Sequence, residues 1–278
     1  MATENQTIRK LGTAVESVVD DYDRDASPFR EHKGLTERIL EDFETDREKA
    51  LFHTLVTALN FQRDAEVLYG NFDNLWDDEH WIFEPEAVVE EHSFEELDAL
   101  FEEVGTRMGT RDAKIWYEIS RTLYHDHNSD PIHLFGQFDY NMDRIGEYVQ
   151  EASGDTRFFD SKFPYLAGDK IRPLWLRNIH REVRPLAGEE MLHIPVDVQI
   201  QKVTNAICGT DYDLSEEDKE AIREFWWEVC EPTDITPADL DSPFWRIGKH
   251  WEDWGRDYLQ SELYDVGLEL GRVSVHDK

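Results

Sequence analysis

The segment from Phe163 to Thr204 constrains the fold of this chain more than any other. It opens with Phe-Pro-Tyr-Leu-Ala-Gly-Asp-Lys-Ile, which predicts a helix, a tight turn and a second helix that holds Lys170 in its first turn. Gly168 is the expected turn residue, because glycine can adopt a left-handed backbone without a Cβ clash. The segment closes with Ile-Pro-Val-Asp-Val and a helical run, where Asp197 is placed to cap the next helix. The pattern therefore predicts a lysine and an aspartate at the starts of two successive helices.

Apolar residues recur at helical spacing along most of the chain. The run from Arg47 to Leu68 predicts one helix, and Ser93-Phe-Glu-Glu predicts a capping box at the start of another. No sustained alternation with a period of two is present in the sequence, so we expect no sheet. The sequence thus predicts an all-α fold of roughly ten or more helices.

Length and composition narrow the class of protein. The 278 residues can form one large domain or two lobes. The sequence has no apolar run long enough to span a bilayer and no secretion signal at its start, so we expect a cytoplasmic protein without a membrane partner. Cys208 and Cys230 are too few for a four-cysteine cluster, so we expect buried free thiols, no iron–sulfur cluster and no cofactor or metal.

The charge of the chain is strongly negative: 62 acidic residues stand against 29 basic ones, for a formal net charge of −33. The acidic residues are spread along the chain rather than gathered in a tail, which favours adaptation to multimolar salt, where the Debye length is about 3 Å or less. An acidic surface for a basic protein partner is the alternative. In such salt most of the phosphate attraction of basic side chains is lost, so backbone amides and shape would have to hold a nucleic acid.

Three motifs together carry a resemblance to a known family. The Leu-x-Gly-x-Lys hairpin, the Pro-Val-Asp segment and the later run Leu240 to Gly248, Leu-Asp-Ser-Pro-Phe-Trp-Arg-Ile-Gly, resemble the helix–hairpin–helix (HhH-GPD) DNA glycosylases, most of all their archaeal 8-oxoguanine branch. The resemblance covers about residues 163 to 248. It implies two helical lobes with the hairpin motif at a central cleft, and we interpret residues 1–34 as an N-terminal extension and residues 35–278 as the glycosylase domain.

The resemblance also implies a reaction. The enzyme would flip an oxidised guanine out of damaged DNA, and Lys170 would attack the sugar C1′ to form a Schiff base from which β-elimination can cut the strand. Asp197 would stabilise the positive charge that develops on the sugar. The hairpin backbone at Leu166 and Gly168 would contact DNA phosphates.

Four further residues are base-binding candidates by the same resemblance. Three of them match residues that contact the flipped purine: Gln62 at the end of an early helix, and Asp241 and Trp245 four residues apart on one helical face. The family also has an aromatic residue at the position of Leu174, and Trp175 is the candidate to replace its ring. The alternatives are a solvent-facing Gln62, an Asp241 that only caps its helix and a Trp245 that only packs in the core.

Two other functions stay open at this point. One is a non-catalytic DNA-binding or scaffold protein that keeps the hairpin. The other is a glycosylase for uracil, an alkylated base or mispaired adenine. In each case damaged DNA is the expected partner of a monomeric, halophilic protein.

Overall fold

The computed structural model describes residues 2–32, 43–60, 63–104, 106, 108–154, 161–188 and 192–273. Within these residues the regular structure is helical, and the only pairing between extended residues is a single bridge from Asn141 to Ala187. The predicted all-α fold is confirmed. No helix in this part of the chain combines the length and the apolar character needed to cross a membrane.

The described residues form twelve α-helices, which are numbered here in chain order. They are α1 (Ala2–Asp23), α2 (Asp46–Ala58), α3 (Ala65–Asp78), α4 (Phe94–Glu103), α5 (Thr110–His127), α6 (Pro131–Gln137), α7 (Met142–Ser153), α8 (Ile171–Glu182), α9 (Val198–Cys208), α10 (Glu216–Cys230), α11 (Asp241–Lys249) and α12 (Arg256–Asp265). Short 3₁₀ turns at Arg30–His32 and His80–Phe83, and single π turns at Ala87–Glu91 and Trp251–Gly255, complete the set.

The predicted helix over Arg47–Leu68 is wrong in its length. α2 ends at Ala58, and Asp64 begins α3 by accepting hydrogen bonds from the backbone N–H groups of Glu66 at 3.0 Å and Val67 at 3.3 Å. A carboxylate that accepts hydrogen bonds from backbone N–H groups two and three residues ahead is a helix N-cap, so α3 is a separate helix and not a continuation of α2. The capping box predicted at Ser93 is confirmed, with Ser93 and Glu96 bonded to each other's backbone N–H groups.

The chain divides into two compact units. Unit 1 is Met1–Lys33 with Glu189–Lys278, and unit 2 is Gly34–Gly188. In unit 1 the apolar face of α1 is buried in one core with residues of α9, α10, α11 and α12. The interpretation of residues 1–34 as an extension stays a prediction, but α1 is an integral part of the core of unit 1.

The core of unit 2 is built around α2. Each residue of α2 from Ala50 to Ala58 is buried, and α2 packs on α8. Two buried polar contacts join α2 to its neighbours: Trp175 Nε1 of α8 donates to Thr54 Oγ1 at 3.0 Å, and the Tyr69 hydroxyl of α3 lies 2.9 Å from Thr57 Oγ1. Burial raises the pKa of Tyr69 to about 12, so its phenol stays neutral at physiological pH.

Candidate functional site

Asp197 is the N-cap residue of α9, as the sequence predicts. Its Oδ1 accepts hydrogen bonds from the backbone N–H of Gln199 at 2.9 Å and of Ile200 at 3.2 Å. The side chain is partly exposed, between the buried residues Val196 and Ile200. Because two backbone donors hold one oxygen, the orientation of this carboxylate is fixed by its own helix.

α9 and α11 cross closely at Gly248. A Cβ placed on Gly248 would lie 2.8 Å from the backbone oxygen of Gln199, so only glycine lets the two backbones approach this far. Lys202 Nζ closes the crossing by donating to the Gly248 carbonyl at 2.8 Å and to Gln199 Oε1 at 3.0 Å. The crossing sets the first turn of α9, which follows Asp197, against the last turn of α11.

Asp241 and Trp245 lie four residues apart on α11. Asp241 is buried and is the first residue of the helix, whose N-cap is Leu240. The alternative that Asp241 is the N-cap is therefore wrong, although an acid in the first turn is still favoured by the helix dipole. Trp245 is partly buried against the core of unit 1, and the Lys249 ammonium lies 4.8 Å from its ring centroid.

The hairpin differs from its prediction in two respects. Residues 163–170 are bends and turns, so the predicted helix before Gly168 is wrong. The left-handed residue is Tyr165, with φ of 64°, and not Gly168. Gly168 is instead needed for space, because its N–H donates to the Tyr165 carbonyl at 3.0 Å and a Cβ on Gly168 would lie 3.2 Å from that oxygen.

The absent helix has a physical cause in neighbouring side chains. The carbonyl of Lys162 accepts from Thr122 Oγ1 of α5 at 2.9 Å. The Ser153 hydroxyl of α7, which donates to its own Val149 carbonyl at 2.7 Å, shares its hydrogen with the Phe163 carbonyl at 3.3 Å. Phe163 and Leu166 are themselves fully buried. Tertiary donors thus bind carbonyls that a helix would pair with its own N–H groups, and these partners are distant in sequence.

Lys170 lies at the start of α8, as expected, but one position earlier than predicted. It is the N-cap residue rather than part of the first turn, with φ of −91° and ψ of −44° and without a side-chain cap. Lys170 is exposed, as are Gly168 and Asp169. Trp175, in contrast, is fully buried and packs against Phe135, so its ring lines the interior of unit 2 and its role as a base wall stays a prediction.

The structure groups the predicted site residues by unit. The hairpin group in unit 2 comprises Leu166, Gly168, Lys170 and Trp175, and the helical group in unit 1 comprises Asp197, Asp241 and Trp245. Gln62, the remaining base-binding candidate, lies outside the described residues. Within each group the residues share one hairpin–helix segment or one helix crossing.

The sequence did not predict two cations that lie beside the hairpin group and the helical group. The Arg111 guanidinium carbon lies 4.9 Å from the centroid of the Tyr165 ring, and Lys249 covers Trp245. The four-residue spacing of Trp245 and Lys249 on a helix could have revealed the second pair. No local signal exists for the first pair, because its members are far apart in the chain.

In the described part of the chain, no three His, Cys, Asp or Glu residues are arranged to hold a metal ion. Cys208 and Cys230 are free and buried, which confirms the prediction for these thiols. Burial raises the pKa of both thiols to about 12, so neither is a thiolate at physiological pH.

Comparison with protein families gives a match over part of the chain. Residues 177–264 match the model of a family described as AGOG, N-glycosylase/DNA lyase. The matched region contains Asp197, Asp241 and Trp245, and begins after the hairpin and Lys170. No curated protein and no solved structure matches the chain significantly. The match confirms the predicted enzyme class, a DNA glycosylase with lyase activity, and supports the resemblance to the helix–hairpin–helix superfamily.

Proposed function

We propose that this DNA glycosylase/lyase removes 8-oxoguanine from damaged DNA by base flipping and lysine Schiff-base chemistry. The observation that carries the proposal is the position of Asp197 inside the matched region, its carboxylate fixed on the N-terminus of α9 beside α11. An oriented carboxylate costs no reorganisation when positive charge develops next to it. Lys170, an exposed residue at the start of α8, would supply the amine nucleophile.

The chemistry would proceed in two steps. The neutral amine of Lys170 would attack C1′ as the C1′–N9 bond breaks and the base departs with the bonding electron pair. The departing base would take up the proton that the lysine nitrogen loses, and Asp197 would stabilise the positive charge that develops on the sugar. The nitrogen lone pair then breaks the C1′–O4′ bond, O4′ takes up a proton from water, and a protonated Schiff base forms between Nζ and C1′. Loss of a C2′ proton expels the 3′ phosphate by β-elimination, and water releases Lys170.

Base choice would depend on the second group. 8-Oxoguanine carries an N7–H donor where guanine has an acceptor, so a buried carboxylate such as Asp241 would accept from the lesion and repel the normal base. Trp245 would stack on the purine, with Gln62 and Trp175 as the remaining base-binding candidates. Backbone N–H groups at Leu166 and Gly168 would hold phosphates without reading sequence.

The net charge of −33 bears on the conditions of this reaction. We propose that the enzyme is a halophilic member of the archaeal branch that acts as a cytoplasmic monomer. At low salt, repulsion between the acidic surface of the protein and DNA opposes binding. Multimolar salt screens this repulsion. Excision should therefore rise with KCl concentration over a range in which basic DNA-binding proteins lose affinity.

The test is a panel of oligonucleotides, each with one lesion, incubated with the protein in multimolar KCl and sodium borohydride. We expect a covalent complex with 8-oxoguanine DNA, and no complex when Lys170→Gln replaces the wild type. If uracil, an alkylated base or mispaired adenine is the preferred lesion, the substrate assignment fails. If no lesion gives a trapped species, the lyase mechanism fails, and tight lesion binding that Lys170→Gln leaves unchanged would indicate a scaffold protein.

A further inference from the structure

The hairpin contains a backbone conformation that its own sequence does not favour. Tyr165 has φ of 64°, in the left-handed region where a Cβ is crowded by the following carbonyl. Glycine and asparagine occupy this region readily, whereas a bulky aromatic residue does so only when its surroundings enforce it. The contacts of Tyr165 should therefore explain what holds the turn.

A cation from α5 contacts the Tyr165 ring. The Arg111 guanidinium carbon is 4.9 Å from the ring centroid, within the range of a cation–π interaction. The first turn of α5 is itself anchored, because the fully buried Asp112 pairs with Arg63 at 2.5 Å and accepts the Met108 N–H at 3.1 Å. Arg111 is thus presented to the hairpin from a fixed helix start.

Tyr165 links the anchored half of the hairpin to the half that leads to Lys170. On one side, Thr122 and Ser153 bind the carbonyls of residues 162 and 163. On the other side, Gly168 N–H donates to the Tyr165 carbonyl at 3.0 Å, and Arg172 N–H donates to the Gly168 carbonyl at 2.9 Å. A change in the Tyr165 backbone would therefore displace Gly168 and the first residues of α8.

We propose that Arg111 is a positioning residue of the hairpin: its stack on Tyr165 holds the left-handed turn and thereby sets the position of Gly168 and Lys170. The consequence for DNA rests on the proposed function. The effect on the hairpin itself does not, which allows the two to be tested separately.

The first experiment measures hydrogen exchange of the amides at Gly168 and Arg172 without DNA. In Arg111→Met we expect exchange to be faster by about threefold to thirtyfold, the range that loss of a cation–π contact allows. In a Tyr165→Asn background, hairpin exchange should no longer depend on Arg111, because asparagine tolerates the left-handed backbone. Arg111→Met should then change exchange by less than about twofold. The matched control is Arg121→Met on the same helix, whose guanidinium pairs with Glu118 at 2.6 Å and which should leave hairpin exchange unchanged.

The second experiment measures affinity for undamaged duplex DNA and its dependence on salt. Arg111→Met should weaken binding by a similar factor, and it should have no further effect in the Tyr165→Asn background. If Arg111 contacted a phosphate directly, the loss would persist in that background and the salt slope would fall by about one. That result would overturn the positioning role.

The outcomes separate the two claims. Unchanged hairpin exchange in a folded Arg111→Met protein overturns the inference, whatever the enzyme does. If Arg111→Met does not fold, Arg111→Gln replaces it: it keeps a polar side chain but loses the cation, and wild-type exchange in this variant would equally overturn the inference. If wild-type protein neither binds DNA nor traps a lesion, the proposed function fails while the exchange experiment still decides the role of Arg111.

Discussion

The starts of α8 and α9 bear the two residues assigned to the chemistry, but they are built in opposite ways. At α9, Asp197 caps its own helix through N–H groups two and three residues ahead. At α8, Lys170 is the N-cap residue without a side-chain cap, and the hairpin before it is held by Arg111, Thr122 and Ser153. One end is therefore fixed locally, and the other is fixed by the surrounding unit.

The comparison teaches how rigidity can be supplied to a site. A carboxylate that caps a helix is oriented by the backbone it caps, so its charge can be changed without moving it when the replacement also caps. The position of an amine at the end of a turn depends on the side chains packed around that turn, so substitutions of residues distant in the chain can move it. Substitutions at the two helix starts and at their supporting contacts should expose this difference.

Removal of each reacting group should produce the largest effect. Lys170→Gln should abolish borohydride trapping and lower base release by about 10³-fold or more, because the nucleophile is lost. Asp197→Asn should lower single-turnover excision by about 10²- to 10³-fold, because the stabilising charge is removed. Asparagine caps as well as aspartate, so the thermal midpoint of Asp197→Asn should equal that of the wild type; full activity in this variant would remove Asp197 from the mechanism.

The glycine at the crossing of α9 and α11 should give the largest stability effect of this set. Gly248→Ala places a Cβ 2.8 Å from the Gln199 backbone oxygen and should lower the free energy of unfolding by about 1–3 kcal/mol. Gly136→Ala in α6 is the matched control, because its nearest neighbour is the Tyr140 hydroxyl at 3.4 Å, and it should be neutral or slightly stabilising. Equal effects in urea unfolding would show that the crossing is not tight.

The Asp197 cap of α9 should contribute less to the free energy of unfolding than the Gly248 crossing does. Asp197→Ala should lower the free energy of unfolding by about 1 kcal/mol, because the N–H groups of Gln199 and Ile200 lose their acceptor. Lys170→Ala should lower it by less than Asp197→Ala does, because the exposed lysine makes no side-chain cap to α8. A larger loss for Lys170→Ala than for Asp197→Ala would reverse the comparison of the two helix starts.

A surface ion pair in unit 2 should give the smallest effect and a defined pH dependence. Burial alone would raise the pKa of Glu84, but the hydrogen bond and charge of Arg47 at 2.6 Å outweigh it and hold the pKa below its usual 4.5. A lowered pKa in the folded state means that the stabilisation is complete above pH 4.5 and is lost as pH falls through the folded value. Both side chains are 34% exposed, so the gain should be under about 1 kcal/mol.

The measurement for this pair is urea unfolding of wild type and Glu84→Gln at neutral pH and below pH 4. We expect the wild type to be more stable at neutral pH and the difference to vanish in acid. A difference that persists in acid would mean that packing, rather than charge, stabilises this contact.

Features that arise from contacts between near neighbours in the chain could be predicted from the sequence. Helical spacing predicted the all-α class, Pro-Val-Asp predicted the cap at Asp197, and Ser93 with Glu96 predicted a capping box. In each case the interacting groups lie within about four residues, so the pattern of residue types already contains the physical interaction.

Features whose interacting partners are distant in the chain depend on tertiary packing and could not be predicted from the sequence. Tertiary packing placed the left-handed residue at Tyr165, because side chains of α5 and α7 take up the contacts of the hairpin, and it put Trp175 in the interior of unit 2. It also buried α1 in the core with the C-terminal helices. A turn of few residues has too little local preference of its own to resist such contacts, so packing determines its conformation.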